Sequence, residues 1–206
     1  MKAPVHKQER AVATRRELIN AARKVFATVG FESARIEQIA AKAGKTRGAF
    51  YANFKDKEDV FFALFEEDLL RNQDRVVAGM SAAVNLDEKI TILSAHLEEM
   101  LRDQQRLLLN LEFKMYVIRH PRKRRRLQQI YIEMCMRCAM AKISGLVPKA
   151  GVSERRRLTT EMGAVIDGLA LNTMFNPEGI SKEQRLRLLR LATRDAMRDA
   201  GASGLA

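Results

Sequence analysis

Apolar residues recur every three or four positions along almost the whole chain, which is the spacing that gives an α-helix one buried face. No sustained alternation of apolar and polar residues accompanies it, so the pattern predicts an all-α fold. About nine helices are expected, at roughly residues 12–29, 35–43, 46–52, 57–80, 88–101, 104–119, 121–144, 153–175 and 182–199. We expect residues 1–11, with Lys2, His6, Lys7 and Arg10, to form a mobile basic arm, and the small residues after position 199 to fray.

The segment from Arg35 to Phe54 predicts two short helices joined by a tight turn. One apolar stripe on the first helix is formed by Ile36, Ile39, Ala40 and Ala43. Gly44 follows where a helix commonly ends in a left-handed residue, and Thr46 offers a hydroxyl to cap the next helix. Ala49, Phe50 and Phe54 are expected to pack inward, and Arg47, Tyr51 and Asn53 to remain outside. This layout is typical of a helix-turn-helix, whose second helix lies in the major groove of DNA.

Charge supports the same interpretation. The chain has 206 residues and a formal net charge of +12, and residues 1–60 contain 13 Lys or Arg against 7 Asp or Glu. Half of the net positive charge therefore lies in under a third of the chain. Basic surfaces also favour solubility, but a basic end that contains a helix-turn-helix favours double-stranded DNA, because phosphate contacts release counterions. No apolar run approaches the roughly 18 residues that span a membrane, so we expect a cytoplasmic protein without a membrane partner.

The run Ala43-Gly44-Lys45-Thr46-Arg47-Gly48-Ala49-Phe50-Tyr51-Ala52-Asn53-Phe54, followed by Lys55 and Lys57, resembles the DNA-binding segment of the TetR family of transcriptional regulators. The resemblance covers roughly residues 14–61 and includes the upstream helix that ends at Gly30. It implies an N-terminal arm and three-helix DNA-binding domain at residues 1–55, followed by a helical effector-binding and dimerisation domain at residues 56–206.

The resemblance also implies a function. The favoured interpretation is a ligand-responsive repressor. It binds a partly palindromic operator as a homodimer and leaves DNA when a small-molecule effector binds. An activator of the same fold, or a redox- or metal-responsive regulator that acts through Cys135 and Cys138, remains open.

Matching positions place a set of candidate DNA contacts between the end of the second helix and the start of the fourth. They are Arg35, Lys45, Thr46, Arg47, Gly48, Tyr51, Asn53, Lys55 and Lys57. The chain departs from family habit at Ala34, Arg35 and Asn53, where threonine, a small hydroxyl residue and histidine are usual. Ala34 is a poor helix cap, so either Ser33 caps the second helix or its start frays. These departures leave the operator sequence open.

The C-terminal half supplies candidates for assembly and ligand binding. Val165 to Leu171 is similar to the family's dimerising helix, and the candidate interface residues are Leu158, Val165, Leu169, Leu186 and Leu189. An adaptable, methionine-rich cavity for an apolar or aromatic effector is proposed from Met100, Met115, Tyr131, Met134 and Met162. Ordinary core packing is the competing interpretation for each of these residues.

No enzyme motif and no cofactor site is evident. The chain contains no glycine-rich phosphate loop, and its three histidines, His6, His96 and His120, are scattered. Cys135 and Cys138 share a helix face, but a zinc site needs more ligands, so a structural role is favoured. The basic run from Arg122 to Arg126 is either a nucleic-acid patch or, more simply, a solvated helix start.

Overall fold

The computed structural model describes the backbone of residues 3–202 and the side chains of residues 9–197. Within those residues the chain forms ten helices and no strand, which confirms the all-α fold class. The helices are α1 (Ala3–Ser33), α2 (Ile36–Lys42), α3 (Arg47–Tyr51), α4 (Lys57–Leu70), α5 (Gln73–Ala82), α6 (Leu86–Met100), α7 (Gln104–Arg119), α8 (Pro121–Leu146), α9 (Val152–Phe175) and α10 (Lys182–Ala202).

Two helix boundaries differ from those predicted. The expected fourth helix is divided into α4 and α5, because Asn72 adopts a left-handed conformation with φ of 63°. The N-terminal arm is also helical from Ala3 onwards. Pro4 stands in the first turn, where its missing N–H is tolerated, and no helix-breaking residue follows before Gly30. Lys2 and the side chains of His6 and Lys7 lie outside the described residues, as does the tail from residue 203.

Gly30 redirects the end of α1. Its φ of 76° and ψ of 165° are not helical, and the chain bends there. Val29, just before the bend, is 38% exposed, whereas Phe31, just after it, is fully buried. The Phe31 N–H donates to Glu112 Oε2 at 2.8 Å. The bend therefore places Phe31 rather than Val29 in the core.

Contacts divide the chain into two compact units. The first comprises residues 1–68 and 108–124, and the second comprises residues 69–107 and 125–206. This division differs from the predicted boundary after residue 55, because most of α4 and α7 packs with the N-terminal helices. Functional domains with that boundary remain a prediction.

Each unit has its own core. The first is centred on aromatic rings: Phe61 stacks on Phe113 with centroids 3.9 Å apart, and Phe31 meets Phe113 edge-on at 5.1 Å. The second is aliphatic, and its buried members are Val76, Met80, Leu93, Leu97, Leu101, Leu107, Leu169, Ala170 and Leu189. No helix within the described residues is long and apolar enough to cross a bilayer.

Candidate nucleic-acid interface

A tight turn fixes the angle between α2 and α3. Gly44 has a φ of 64°, a left-handed conformation in which a side chain is strained. The Lys45 N–H then donates to the Ala40 carbonyl at 2.9 Å, which satisfies the end of α2. Thr46 caps α3, since its Oγ1 accepts from the Ala49 N–H at 3.1 Å. The predicted helix-turn-helix is therefore confirmed. Gly44 ends α2 and Thr46 caps α3, as expected.

The two sides of α3 differ sharply. Phe50 and Phe54 are buried in the first unit, at 0% and 1% exposure, whereas Tyr51 is 46% exposed. Gly48 is exposed, and a Cβ there would meet only Thr46 Oγ1 at 3.7 Å. Packing within the first unit therefore does not require a glycine at this position.

Arg47 is held at the exposed surface by two neighbours. Its guanidinium pairs with Glu37 Oε1 at 3.1 Å and donates to the Tyr51 hydroxyl at 3.4 Å. The hydrogen bond to Tyr51, followed by the charges of Tyr51 and Glu37, raises the pKa of Arg47. The guanidinium is thus exposed and partly oriented before any ligand arrives.

The remaining predicted contacts fall into two groups. Lys45 pairs with Glu17 at 2.8 Å and Lys55 is exposed, so both ammonium groups lie at the surface. Asn53 is turned towards the fold instead, because its Nδ2 donates to the Ala49 carbonyl at 2.8 Å. The exposed Arg35 occupies the N-cap position of α2, where its N–H donates to Gln38 Oε1 at 2.9 Å. The expected cap by Ser33 is wrong, since Ser33 is the last residue of α1.

Lys57 has a structural role that the sequence did not indicate. Its Nζ donates to the carbonyls of Glu32 at 2.8 Å and Ala34 at 3.1 Å, and lies 4.9 Å from the Phe31 ring centroid. Burial, opposed by nearby carboxylates, lowers its pKa. A lysine that satisfies free carbonyls at a helix end is stabilising where it is. The phosphate contact expected of Lys57 stays a prediction, and such a contact would compete with those two hydrogen bonds.

Arg15 was missed by sequence reasoning. Its Nη1 donates to the Asn53 carbonyl at 2.9 Å, and its guanidinium lies 4.3 Å from the Phe54 ring centroid. The residue thus supports the C-terminal end of α3 from α1. No local signal could have revealed this, because the contact spans 38 residues of sequence.

Three of the predicted interface residues are already buried within one chain. Leu158, Leu169 and Leu189 have exposures of 6%, 6% and 0%, so a second copy would bury little further area of these side chains. Val165 and Leu186 are half-buried. The large apolar residues that α9 and α10 leave exposed within the described residues are Val152, Leu171, Phe175, Leu188 and Leu191.

The predicted ligand residues do not form one set. Met115 is 46% exposed and belongs to the first unit, whereas Met100, Tyr131, Met134 and Met162 belong to the second. Met134 is buried at 2% exposure, and Met100 and Met162 pack against the aliphatic core. A cavity lined by all five residues therefore stays a prediction.

The cysteine pair gives no support to a metal site. Cys138 is buried and Cys135 half-buried. Among the side chains that the structure describes, no three His, Cys, Asp or Glu residues gather as metal ligands.

Comparison with known proteins matches the same region. Residues 18–64 fit the family model of bacterial regulatory proteins, tetR family. The chain is 34% identical over 95 residues to the HTH-type transcriptional repressor AcnR of Corynebacterium efficiens, covering 44% of this chain and 50% of that protein. The chain thus spans about half the length of that relative.

Two longer matches extend beyond the N-terminal segment. The HTH-type transcriptional regulator AcrR of Shigella flexneri is 28% identical over 196 residues, covering 88% of this chain and 87% of that protein. The structure of the fatty acid degradation regulator FadR from Bacillus halodurans superposes with a TM-score of 0.57 at 23% identity, over 86% of this chain and 92% of that one. Residues 18–64, which carry the turn at Gly44 and the exposed face of α3, match the model of the tetR family of bacterial regulatory proteins, and the match to AcrR extends the similarity to a regulator over most of the chain.

Proposed function

We propose that the protein is a dimeric, sequence-specific DNA-binding transcriptional regulator, and that it acts as a repressor. The observation that carries this proposal is the geometry of α3. A left-handed Gly44 and a capping Thr46 orient a short helix whose buried side is anchored by Phe50 and whose exposed side presents Arg47. A helix held in this way fits the major groove, where arginine recognises guanine bidentately.

The surrounding residues supply contacts to the DNA backbone. Lys45, Lys55 and Arg35 are the cations for phosphates, while Thr46 and the backbone at Gly48 lie at the N-terminal end of α3, where an anion is favoured. Tyr51 adds a hydroxyl beside Arg47. Glu37 has to release Arg47 during binding, since a carboxylate near phosphate is repelled.

A homodimer explains the apolar surface of α9 and α10. On α9, Ala164, Gly168, Leu171 and Phe175 are exposed at helical spacing, and on α10 Leu188 and Leu191 are exposed. Packing this face against its copy would bury it in a four-helix arrangement. Such a dimer would present two α3 helices to half-sites about 34–36 Å apart on the duplex.

Control by an effector follows from linkage. We consider a small molecule that binds the second unit. If it binds more tightly to a state in which the two α3 helices have a different spacing, it weakens operator binding. The largest possible weakening equals the ratio of its affinities for the two states. Activation instead of repression would use the same DNA contacts, and the position of the selected site relative to a promoter would distinguish the two.

Selection of bound duplexes from a random DNA pool tests the proposal. We expect a partly palindromic consensus and an affinity ratio of about 10³ or more over unrelated DNA. Sedimentation of the same preparation should give a dimer at micromolar concentration. A pool without any enriched sequence would contradict the regulatory function, and a monomer would contradict the paired recognition helices.

A further inference from the structure

Glu37 places a carboxylate beside the guanidinium of Arg47. Glu37 is the second residue of α2, and its Oε1 lies 3.1 Å from Arg47 Nη1. The Arg47 side chain is 63% exposed and that of Glu37 is 55% exposed, and both residues belong to the first unit. Because the same guanidinium donates to the Tyr51 hydroxyl at 3.4 Å, Arg47 joins the start of α2 to α3. A base that Arg47 reaches would therefore also lie close to Glu37.

Folding gives little reason for this ion pair. Water and salt screen charges that are as exposed as these, so such a pair contributes little to stability. The pair between Arg23 and Asp68 in the same unit differs, because the Asp68 side chain is 0% exposed and its Oδ2 lies 2.7 Å from Arg23 Nη1. Glu37 instead faces the solvent beside Arg47, so its charge affects what that surface binds.

A carboxylate on this surface is unfavourable for DNA binding in general, because phosphates repel it. The major groove offers a compensation at one base, since cytosine presents its N4 amino group there as a hydrogen-bond donor. A carboxylate accepts from that group, whereas guanine N7 and O6 and thymine O4 are acceptors that repel it. Glu37 therefore gains a contact on a sequence with a suitably placed cytosine and is repelled by other sequences.

The distance between the two side chains is close to the spacing of stacked bases. The Glu37 carboxylate lies 3.1 Å from the guanidinium that is proposed to bind guanine. Successive bases of one strand are about 3.4 Å apart along the duplex axis. Once Arg47 has turned to guanine, the released carboxylate is therefore about one base-pair step away. Adenine also has an amino group in this groove, but its N7 acceptor lies beside that group and disfavours a carboxylate.

Resting on the proposed DNA-binding function, we propose that Glu37 is a second base-reading residue and that it recognises cytosine. Its carboxylate accepts a hydrogen bond from the N4 amino group of a cytosine in the base pair next to the guanine that Arg47 binds. Arg47 supplies the donors of this composite reader and Glu37 supplies the acceptor. The start of α2 thereby contributes to specificity together with α3.

Selection from a random DNA pool with the full chain and with Glu37→Gln tests the proposal. Each wild-type half-site should contain a guanine and a cytosine in adjacent base pairs. Glu37→Gln should keep the guanine and replace the cytosine by adenine, because glutamine pairs bidentately with adenine. A consensus that is the same for both proteins would overturn the proposal.

Fluorescence anisotropy titrations separate base reading from an effect of net charge. Glu37→Gln should weaken binding to the wild-type operator by about fivefold or more, and should bind unrelated DNA as tightly as wild type or more tightly, because a repelled carboxylate is removed. On an operator with adenine in place of that cytosine, Glu37→Gln should bind more tightly than wild type. Equal changes in affinity for the operator and unrelated DNA would show an effect of charge alone and overturn the proposal.

Glu67→Gln is the matched control, since it removes the same charge from an exposed carboxylate of the first unit. Glu67 lies ten residues beyond Lys57 on α4, which corresponds to ~15 Å along the helix axis. That distance exceeds the screening length of about 8 Å at physiological salt. Glu67→Gln should therefore keep the wild-type consensus and the wild-type affinities. A loss of cytosine preference in this variant as well would overturn the assignment to Glu37.

The wild-type selection separates this proposal from the proposed function. If wild type enriches no sequence, sequence-specific regulation fails, and base reading by Glu37 fails with it. If wild type enriches an operator and Glu37→Gln enriches the same one, DNA-binding regulation stands and only the role of Glu37 fails.

Discussion

Tyr116→Phe is the sharpest test of the packing that supports the recognition unit. The Tyr116 hydroxyl donates to Glu58 Oε1 at 2.7 Å and accepts from Lys123 Nζ at 2.7 Å, and Lys123 also donates to the same Glu58 oxygen at 2.8 Å. These three side chains connect α4, α7 and α8 inside the first unit. Removing one oxygen from a ring that is 6% exposed leaves the shape of the core intact.

The expected cost comes from the hydroxyl rather than from the ion pair. The Lys123 side chain is 52% exposed, so solvent screens its attraction to Glu58. A buried hydrogen bond to a charged group contributes about 1.5–3 kcal/mol. For a chain of this size, that loss lowers the Tm by about 3–12 °C.

The effect should also depend on pH. Burial raises the pKa of Glu58, but the hydrogen bonds from Lys123 and Tyr116 together outweigh it, and the net pKa is lowered. A carboxyl group with a lowered folded pKa stabilises the protein fully above its unfolded pKa of about 4.3, and loses that contribution as the pH falls through the folded value. The difference between wild type and Tyr116→Phe should therefore be largest near neutral pH and shrink in acid.

Urea unfolding followed by circular dichroism measures the difference. Tyr51→Phe is the matched control, because it removes the same atom from a side chain that is 46% exposed, and should change stability by less than about 0.5 kcal/mol. The reasoning is refuted if Tyr116→Phe falls within that same limit, or if its cost is independent of pH.

Three further predictions concern the interface, the turn and the dimer. Arg47→Ala should weaken binding to the selected operator by about 5- to 150-fold in a fluorescence anisotropy titration, with much less effect on unrelated DNA. Gly44→Ala should destabilise by about 1–2 kcal/mol through its positive φ, whereas Gly163→Ala, in a helix with open space around it, should stabilise by about 0.5–1 kcal/mol in the same urea assay. Leu171→Glu should give a monomer by sedimentation, while Val84→Glu, at a residue 88% exposed, should leave the dimer intact; retention of the dimer by Leu171→Glu would place the interface elsewhere.

Local features of the site could be predicted from sequence because each one depends on a few neighbouring residues. Gly44 ends a helix, Thr46 caps the next, and Phe50 and Phe54 share one side of a turn. Both ends of each interaction lie within about one helical turn, so spacing alone identifies them.

Contacts between distant segments could not be predicted in this way. Lys57 reaches carbonyls 23 and 25 residues earlier, and Arg15 reaches Asn53 across 38 residues. A basic residue near a recognition helix favours a phosphate contact on composition, whereas the structure uses Lys57 to close a helix end. Leu158 and Leu189 illustrate the same limit, because periodicity identifies an apolar face without indicating whether its partner is the same chain or a second copy.

The continuity of three helices limits how an effector could act on DNA binding. Helices α4, α7 and α8 each contribute residues to both compact units, so the proposed effector control would have to act along these continuous helices. In the first unit all three meet at Glu58, Tyr116 and Lys123. Lys57, the residue before Glu58, holds the end of α1. We infer that this network fixes the position of α4 against α1. A substitution that weakens the network should therefore reduce the proposed response to the effector more than it reduces operator affinity.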